Sequence, residues 1–471
     1  MSFDLTNRLP ATRQSAARLP ATRQSHRSRA SAAASTSTVE PGTWIDRWWF
    51  AICLTALILA SDYKFRTRDS GVQSSSIDSA IILELAIYAA VALFAINRHG
   101  RPPRIARVPV HVYLACFLTG LTALSVVSAE FPAYTLVRAG QMAILLLLIL
   151  VFIASPDSSS AHLHRFTHLY LALVALSIVY GVARPSTPLS RLQEGRFTWL
   201  AIHPTVSGMV TGLATIVAFA YVIWGGRDRP GPRWPRLLYI ALLLGVGGAM
   251  LAAHTRGAVL GAIIGGLVLA FALYHGAARV RLLAGLTTAG AIGVLAGSEM
   301  LAAYFTRGDD PAELASLNSR TELWAVAISA VQRQPMFGYG VGASRGIFEA
   351  DIGLGGAHNA ALNVLVDLGL VGAVCWLALV VAIIVGALRL PGTTSAAVRL
   401  DRSMLISIMA FLMIAGIFSE GPGAVANVAS TWLFVCIAWL SIAQRDAQRD
   451  AQRAPADARA AGSSTPSVVD S

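Results

Sequence analysis

The chain has 471 residues, of which 55% are hydrophobic and 13% charged, and its mean hydropathy is +0.60. Soluble domains carry about a quarter charged residues, so this composition excludes a soluble globular protein and indicates a membrane protein with many spans. The net charge of +12 is almost entirely arginine. In so apolar a chain this predicts loops facing an anionic inner leaflet, and no nucleic-acid partner.

Both ends of the chain are polar and repetitive. Residues 8–15 read RLPATRQS and residues 18–25 repeat them, while 444–453 repeat Arg-Asp-Ala-Gln. Such segments bury too little apolar surface to fold alone. We therefore predict disordered cytoplasmic tails over 1–43 and 445–471. By composition the first tail also fits an organellar transit peptide.

Apolar windows follow one another between the two tails, each near the roughly 20 residues that a helix needs to cross a bilayer. They predict an all-α polytopic membrane protein of about 12 transmembrane helices, with nine spans in 44–302 and three in 359–444. The windows are 48–61, 78–97, 109–128, 136–154, 166–183, 204–224, 236–253, 257–275, 282–302, 366–388, 403–419 and 424–443.

Arginine is unevenly distributed over the connections between these windows. If the N-terminus is cytoplasmic, the arginine-rich connections are the cytoplasmic ones, as the positive-inside rule requires. Only the connection 155–165 gives little signal. Both termini are then predicted to be cytoplasmic. The arginines that decide the orientation are Arg98, Arg101, Arg104, Arg107, Arg227, Arg229, Arg233, Arg236, Arg279, Arg281, Arg389, Arg399 and Arg402.

The polar segment 303–358 then lies outside, between spans nine and ten, and we predict that it is partly helical, periplasmic and catalytic. Arginines on this side are candidates for function, because the topology rule gives them no reason to be there. Arg256 is one, in the very short connection Thr255-Arg256-Gly257. A guanidinium at the membrane rim faces protein or water rather than lipid. A snorkelling arginine that anchors a helix end is the alternative.

Arg320 is a second candidate. The pattern Ser319-x-x-Glu322 is typical of a capping box, so a helix is predicted to begin at Arg320 and to end before Pro335. Unpaired N–H groups and the positive end of the helix dipole, together with a guanidinium, make an anion site suited to phosphate oxygens. An ordinary capped helix with a solvated arginine is the alternative.

Three glycines, Gly338, Gly340 and Gly342, predict a tight turn after this helix. A nucleotide-binding loop is excluded because the segment lacks a strand–turn–helix context and a Walker lysine. We interpret the turn as one that brings backbone close to a substrate or to lipid headgroups.

His358 stands where the outer segment re-enters the membrane and is followed by Asn359. Histidine exchanges protons near neutral pH, so at the membrane rim it can accept the proton of an attacking sugar hydroxyl. A capping or packed histidine is the alternative. His203-Pro204 begins another span in a similar way, with Arg196 upstream, so several helix N-termini are expected around one outward-facing cavity.

In order and topology, these motifs resemble the O-antigen ligase and polymerase superfamily. Thr255-Arg256-Gly257-Ala258 is similar to the family's Ser-Arg-Gly motif, Arg320 to the arginine before its Leu-Trp, and His358-Asn359 to the His-Asn after its Gly-x-Gly turn. The resemblance covers roughly 196–372. It implies catalytic roles for His358, Arg320 and Arg256. The substrate-binding residues that follow from it are Arg256, Arg320, Arg196, Gly338, Gly340, Gly342 and Asn359.

The resemblance further implies an architecture like that of GT-C glycosyltransferases in a bacterial inner membrane. The expected reaction moves a glycan from an undecaprenyl diphosphate carrier to a sugar hydroxyl on the periplasmic face, with inversion and without a metal or other cofactor. Arg256 and Arg320 would hold the diphosphate and His358 would act as base. The acid pair Asp309-Asp310 is interpreted as a solvated loop face rather than a metal site.

Two activities of this family share those residues. A polymerase passes the chain to another carrier-linked glycan, and a ligase passes it to a lipid A core; transfer to a protein is a third variant. We favour a polymerase of O-antigen or exopolysaccharide, because the modest outer segment shows no mark of a second acceptor.

The alternative of a different class is a transporter or a flippase for lipid-linked glycans. Such proteins usually place ionisable residues near the bilayer midplane and show internal repeats. Here the clear intramembrane charges are few, namely Glu84, Arg138 and Asp367, and no two-fold repeat of apolar segments is apparent.

Overall fold

The structure is a computed structural model, and it describes residues 43–63, 79–99, 108–185, 195–200, 202–225, 231–274, 276–306, 320–352, 356–391, 395–423 and 425–462. Within these ranges all regular structure is helical. The chain divides into two units, residues 1–46 and 47–471. Of the first, only residues 43–46 are described. There the Thr43 N–H and hydroxyl both donate to Asp46 Oδ2, at 2.6 and 2.7 Å, and cap the first helix.

Fourteen α-helices and one short 3₁₀ turn make up the described part of the chain. The 3₁₀ turn is Ser125–Ser128. The helices are α1 Trp44–Asp62, α2 Ser79–His99, α3 Val110–Leu124, α4 Pro132–Ala154, α5 Ser160–Ala183, α6 Pro204–Trp224, α7 Arg236–Ala252, α8 Arg256–Leu273, α9 Ala277–Thr306, α10 Arg320–Arg333, α11 Ala343–Ile352, α12 Ala360–Leu388, α13 Ala396–Gly416 and α14 Val428–Gly462.

Each of the twelve apolar windows lies on a helix, and the all-α membrane class is confirmed. Among the described residues nine helices are long and apolar enough to cross a membrane, or ten if α9, bent by 53° between Gly293 and Leu295, counts as one span. The two remaining apolar windows lie on α7, which has 17 residues, and on α13, whose first turns carry Arg399, Asp401 and Arg402. The count of about 12 and the GT-C-like architecture stay predictions.

Small residues let α6, α8 and α13 pack closely. A side chain at Gly265 of α8 would stand 2.9 Å from Ile216 and 3.0 Å from the Ser407 carbonyl, and one at Gly212 would stand 2.6 Å from the Phe411 ring. The Ser407 hydroxyl also donates to the Gly265 carbonyl at 2.6 Å. Lipid supplies no hydrophobic drive for helix association, so such close approach and interhelical hydrogen bonds hold spans together.

A break in α12 determines how the outer segment packs. Gly369 has φ +63° and ψ −167° within the helix. The break frees backbone groups of α12, and these form hydrogen bonds with the segment that follows α10. The Leu370 N–H donates to the Pro335 carbonyl at 2.8 Å, and the Tyr339 N–H donates to the Val366 carbonyl at 3.0 Å. An intramembrane helix can break only where such partners are supplied. The segment 335–342 is therefore fixed to α12.

At the other end of the bundle, polar side chains join α5, α6 and α13. His164 is within 2.9 Å of Asp401 and 2.7 Å of the Tyr221 hydroxyl, and the Ser160 hydroxyl donates to the other Asp401 oxygen at 2.5 Å. His164 and Asp401 are almost fully buried.

The last helix runs past residue 444, where the sequence predicted that a disordered tail begins. Helix α14 continues to Gly462, because Arg, Ala, Gln and Asp in the repeat permit a solvated helix. Arg445 also fixes its position, donating to the Ser155 carbonyl at 3.2 Å just beyond the end of α4. The N-terminal repeats lie outside the described residues.

Candidate functional site

A cavity of about 400 Å³ opens at the end of the bundle where α1 ends and α4, α6, α12 and α14 begin. Small-molecule sites typically have volumes of about 300–1,000 Å³. Glycines, alanines and a few larger apolar residues complete its wall. The polar and ionisable side chains that line it are Ser61, Asp62, Tyr134, Arg138, His203, Thr205, Ser344, Arg345, His358, Asn363, Asp367, Ser419, Glu420 and Asn427.

His358 lines this cavity from the loop before α12 and has a strained backbone, with φ +47°. A non-glycine residue in this region costs roughly 1–3 kcal/mol and persists only when its surroundings enforce it. Burial lowers the pKa of His358; the Glu420 carboxylate opposes this shift, and the Arg320 guanidinium adds to it. The imidazole is therefore neutral at neutral pH and can accept a proton.

His203 is the second histidine of the cavity and caps α6. Its Nδ1 accepts the Thr205 N–H at 3.2 Å, so the neutral ring carries its proton on Nε2. Burial, assisted by the positive charges of Arg196 and Arg345 and by that of His358 when it is protonated, lowers the pKa of His203 to about 4. It faces the cavity as a hydrogen-bond donor.

Arg320 begins α10, as the sequence predicted, while its proposed cap Ser319 lies outside the described residues. The guanidinium donates to the Phe418 carbonyl at 3.3 Å and lies 5.4 Å from the centre of the Phe418 ring. Burial lowers the pKa of Arg320, and the nearby charge of Arg256 lowers it further. The structure therefore brings Arg256 and Arg320 within electrostatic reach of each other.

Arg256 begins α8 and donates to the Thr306 carbonyl at 3.2 Å. The next residue, Gly257, packs against the residue that Arg320 stacks on: a side chain there would stand 2.6 Å from Phe418 Cβ. Phe418 thus supports both cations. Among the described residues that line the cavity neither arginine is found, so the pair lies beside it, with Arg320 close enough to affect His358.

Arg196 holds the connection that carries Arg256. Its Nε–H donates to the Ala253 carbonyl at 3.0 Å, and its Nη2–H donates to the Thr255 hydroxyl at 3.3 Å. The adjacent Phe197 N–H also bonds the Ala252 carbonyl at 2.8 Å. Arg196 is therefore placed to fix the turn just before Arg256, and its predicted contact with substrate stays a prediction.

The three turn glycines have φ values of +64°, +99° and +81° at Gly338, Gly340 and Gly342, as a tight turn requires. Gly338 and Gly340 pack against the protein itself, since a side chain at Gly338 would stand 2.5 Å from the Val366 carbonyl and one at Gly340 2.6 Å from Ala129. Gly342 lines the cavity. Its N–H donates to Asp367 Oδ2 at 2.8 Å.

Asn359 caps α12, accepting the Leu362 N–H on its side-chain oxygen at 3.1 Å. One turn later the Asn363 side chain accepts the Ala357 N–H at 3.0 Å. These two bonds fix the backbone on both sides of His358 and explain how its left-handed conformation is maintained. A substrate contact of Asn359 stays a prediction.

Residues 240–377 match the family model described as O-Antigen ligase. The chain carries an O-antigen ligase domain. The resemblance predicted from the motifs is thereby confirmed, and this domain includes Arg256, Arg320 and His358. Arg196 precedes it and Glu420 follows it. No curated protein gives a significant match to the chain.

Several residues that line the cavity were not predicted from the sequence as site residues. Arg345 and Glu420 face it from α11 and from the loop after α13, and Tyr134 and Arg138 face it from α4. Burial acts to lower the pKa of Arg345, but Glu420 and Tyr134 together more than offset it, so the pKa is raised. Glu420 had one detectable signal, as an acid just before Gly421-Pro422-Gly423 in the short connection between the last two apolar windows.

The charged residues within the membrane spans form hydrogen bonds to other groups of the protein. Arg138 donates to Glu84 at 3.3 Å and to the Gln141 side chain at 2.8 Å. Both oxygens of Asp367 accept backbone N–H groups, from Gly342 at 2.8 Å and Ser344 at 2.7 Å. The acid pair Asp309-Asp310 lies outside the described residues.

Proposed function

We propose that this protein is an inverting, metal-independent membrane glycosyltransferase. It moves a glycan from an undecaprenyl diphosphate carrier to a sugar hydroxyl and thereby polymerises O-antigen or exopolysaccharide. The observation that carries the proposal is the position of His358, neutral and facing a cavity, beside Arg320 and within reach of the Arg256–Arg320 pair.

Each step of the reaction has a residue suited to it. His358 accepts the proton of the acceptor hydroxyl as its oxygen attacks the anomeric carbon, and a single displacement inverts that carbon. The anomeric C–O bond breaks and its electron pair leaves with the diphosphate. Arg256 and Arg320 stabilise the negative charge that develops there, as fixed cations outside water do.

The ends of helices support the same role. Helices α6 and α12 begin at the cavity, next to His203 and His358, and α8 and α10 begin at Arg256 and Arg320. Helix N-termini attract anions through unpaired N–H groups and the helix dipole. Several such ends around one site suit a substrate with two phosphates.

The orientation follows from the distribution of arginine. The cavity lies at the bundle end opposite the connections that carry Arg236, Arg279 and Arg389. By the positive-inside rule those connections are cytoplasmic. We propose a bacterial inner-membrane protein with a periplasmic active site and cytoplasmic termini.

A ligase that transfers the glycan to a lipid A core is the second candidate, because the matching family is described as O-Antigen ligase. Both activities use the same base and cations. The acceptor alone distinguishes them, so the test must vary it.

The experiment is reconstitution of the purified protein with one undecaprenyl-diphosphate-linked repeat unit from its own source. A glycan ladder and released carrier are expected without another acceptor. Transfer only after a lipid A core is added would establish a ligase. No transfer with either acceptor, or with a protein acceptor, would refute the proposed function and favour transport.

Variants tie the chemistry to its residues. His358→Ala should lower transfer roughly 10²–10⁴-fold, the usual contribution of a general base. His254→Ala is the matched control, because His254 also has left-handed backbone (φ +48°) but is not among the described cavity residues. Equal losses in both variants, or losses that follow the amount of folded protein, would contradict the assignment.

A further inference from the structure

Glu420 lies in the loop between α13 and α14 and faces the cavity, as do its neighbours Ser419 and Gly421. It follows the O-antigen ligase match, which ends at residue 377. The same loop contains Phe418, whose carbonyl accepts the Arg320 guanidinium. One short loop therefore contacts a proposed cation of the site and presents a carboxylate to the cavity.

The packing of this loop brings the carboxylate next to Gly356, two residues before His358. A side chain at Gly356 would stand 2.9 Å from Glu420 Oε1, and one at Gly421 would stand 2.8 Å from Ala360 Cβ. Gly356 and Ala360 precede and follow His358 by two residues. The Glu420 loop is thus in contact with the chain on both sides of the histidine.

The other charged groups around His358 show why the Glu420 carboxylate matters for the charge of the imidazole. Asp367 is engaged by the two N–H groups of Gly342 and Ser344. Of the charges that act on the imidazole, Glu420 favours its protonated form and Arg320 disfavours it. The remaining ionisable groups that face the cavity are Asp62 on α1, Tyr134 and Arg138 on α4, His203 before α6 and Arg345 on α11.

The proposed reaction requires such a group. When His358 takes the hydroxyl proton, the imidazole becomes positive at a site that already carries Arg320 and Arg345. Like charges disfavour that form, and burial deprives it of water. A fixed carboxylate beside the imidazole offsets both effects and stabilises the imidazolium.

We propose that Glu420 is the positioning residue of His358: its carboxylate orients the imidazole and stabilises the imidazolium formed in the transfer step. This inference rests on the proposed function, since it assumes that His358 acts as the base. It adds a residue outside the O-antigen ligase domain to the active site.

The test is Glu420→Gln, which keeps the shape of the side chain and removes its charge. Transfer at the pH optimum should fall at least tenfold. The acid limb of kcat/KM should move to lower pH by about one unit or more, the shift expected from losing a near charge. The KM for the lipid-linked donor should stay near that of wild type, and Glu420→Asp should restore part of the rate.

A second readout does not depend on transfer. NMR of protein labelled at histidine Cε1 measures the pKa of His358, whose signal is identified by its loss in His358→Ala. Glu420→Gln should lower this pKa, whereas Glu322→Gln, which removes an exposed acid of the same outer segment, should not change it.

Loss of rate without a shift in the pH profile or in the His358 pKa would overturn the proposal, because Glu420 would then serve only the packing of its loop. An unchanged rate would also overturn it. A failure of the proposed function has a different signature: wild-type protein would transfer nothing to any acceptor, or His358→Ala would remain active.

Discussion

Replacing Arg320 with lysine keeps the positive charge but removes the planar group that makes two kinds of contact at once. The guanidinium donates one N–H to the Phe418 carbonyl at 3.3 Å and stacks 5.4 Å from the ring centre, which leaves other N–H groups for phosphate oxygens. An ammonium lacks this fork. Lysine must therefore give up either its anchor on Phe418 or part of its proposed contact with the diphosphate.

The size of the effect follows from one lost contact. A hydrogen bond to a charged group is worth about 1.5–3 kcal/mol, so Arg320→Lys should lower kcat/KM roughly 10- to 150-fold. Arg320→Ala also removes the charge and should cost at least roughly 10²–10³-fold in kcat, as the loss of a transition-state donor does.

The assay is release of undecaprenyl diphosphate by reconstituted protein, with initial rates measured over a range of donor concentrations. Arg333→Lys, in the exposed last turn of the same helix, is the control and should behave as wild type. Full activity of Arg320→Lys would refute the reasoning from geometry. Full activity of Arg320→Ala would remove Arg320 from the site.

Three further variants test the scaffold, with thermal unfolding in detergent as the measurement. Gly369→Ala should destabilise the protein by more than the ~1–3 kcal/mol of backbone strain, since the new side chain would stand 2.3 Å from the Met336 carbonyl. An unchanged Tm would contradict the close packing of residue 336 against the break in α12. The pKa of His203 is lowered to about 4 in the folded protein, so the unfolded chain binds more protons and the protein loses stability as the pH falls from about 6.5 towards 4. His203→Gln should lose less stability than wild type over that pH range. An identical loss in both proteins would refute this. Asp401→Ala removes a buried partner of both His164 and Ser160 and should cost roughly 1–3 kcal/mol, with transfer per folded molecule unchanged.

The helices were predictable because a bilayer imposes a length and a composition on every span. All twelve windows fall on helices, and α10 begins at Arg320 and ends before Pro335, as its capping pattern and proline indicated. The end of α14 and the bend in α9 were not, because neither depends on hydropathy. Gly293 and Leu295 continue an apolar run, and only the path of the backbone shows that the helix bends there.

The site was predictable only in part. The sequence allowed three candidate residues to be chosen one at a time, namely Arg256, Arg320 and His358. Each lies at a predicted membrane rim, where the positive-inside rule does not explain its presence. Glu420 could not be linked to His358, since 61 residues and two helices separate them in sequence. Similarly, nothing in the turn around Gly338 indicates that it packs on the break at Gly369. Both contacts arise from tertiary packing, which leaves no periodic pattern.

Phe418 carries no charge, yet the starts of two helices that begin with arginine both pack against it. The start of α8 rests on its Cβ, and the guanidinium at the start of α10 rests on its ring. One apolar side chain is therefore the common support of two helix starts that carry positive charge. A smaller residue at position 418 would remove this shared support without touching either arginine, so the positions of both cations are expected to depend on an apolar residue outside the matched segment.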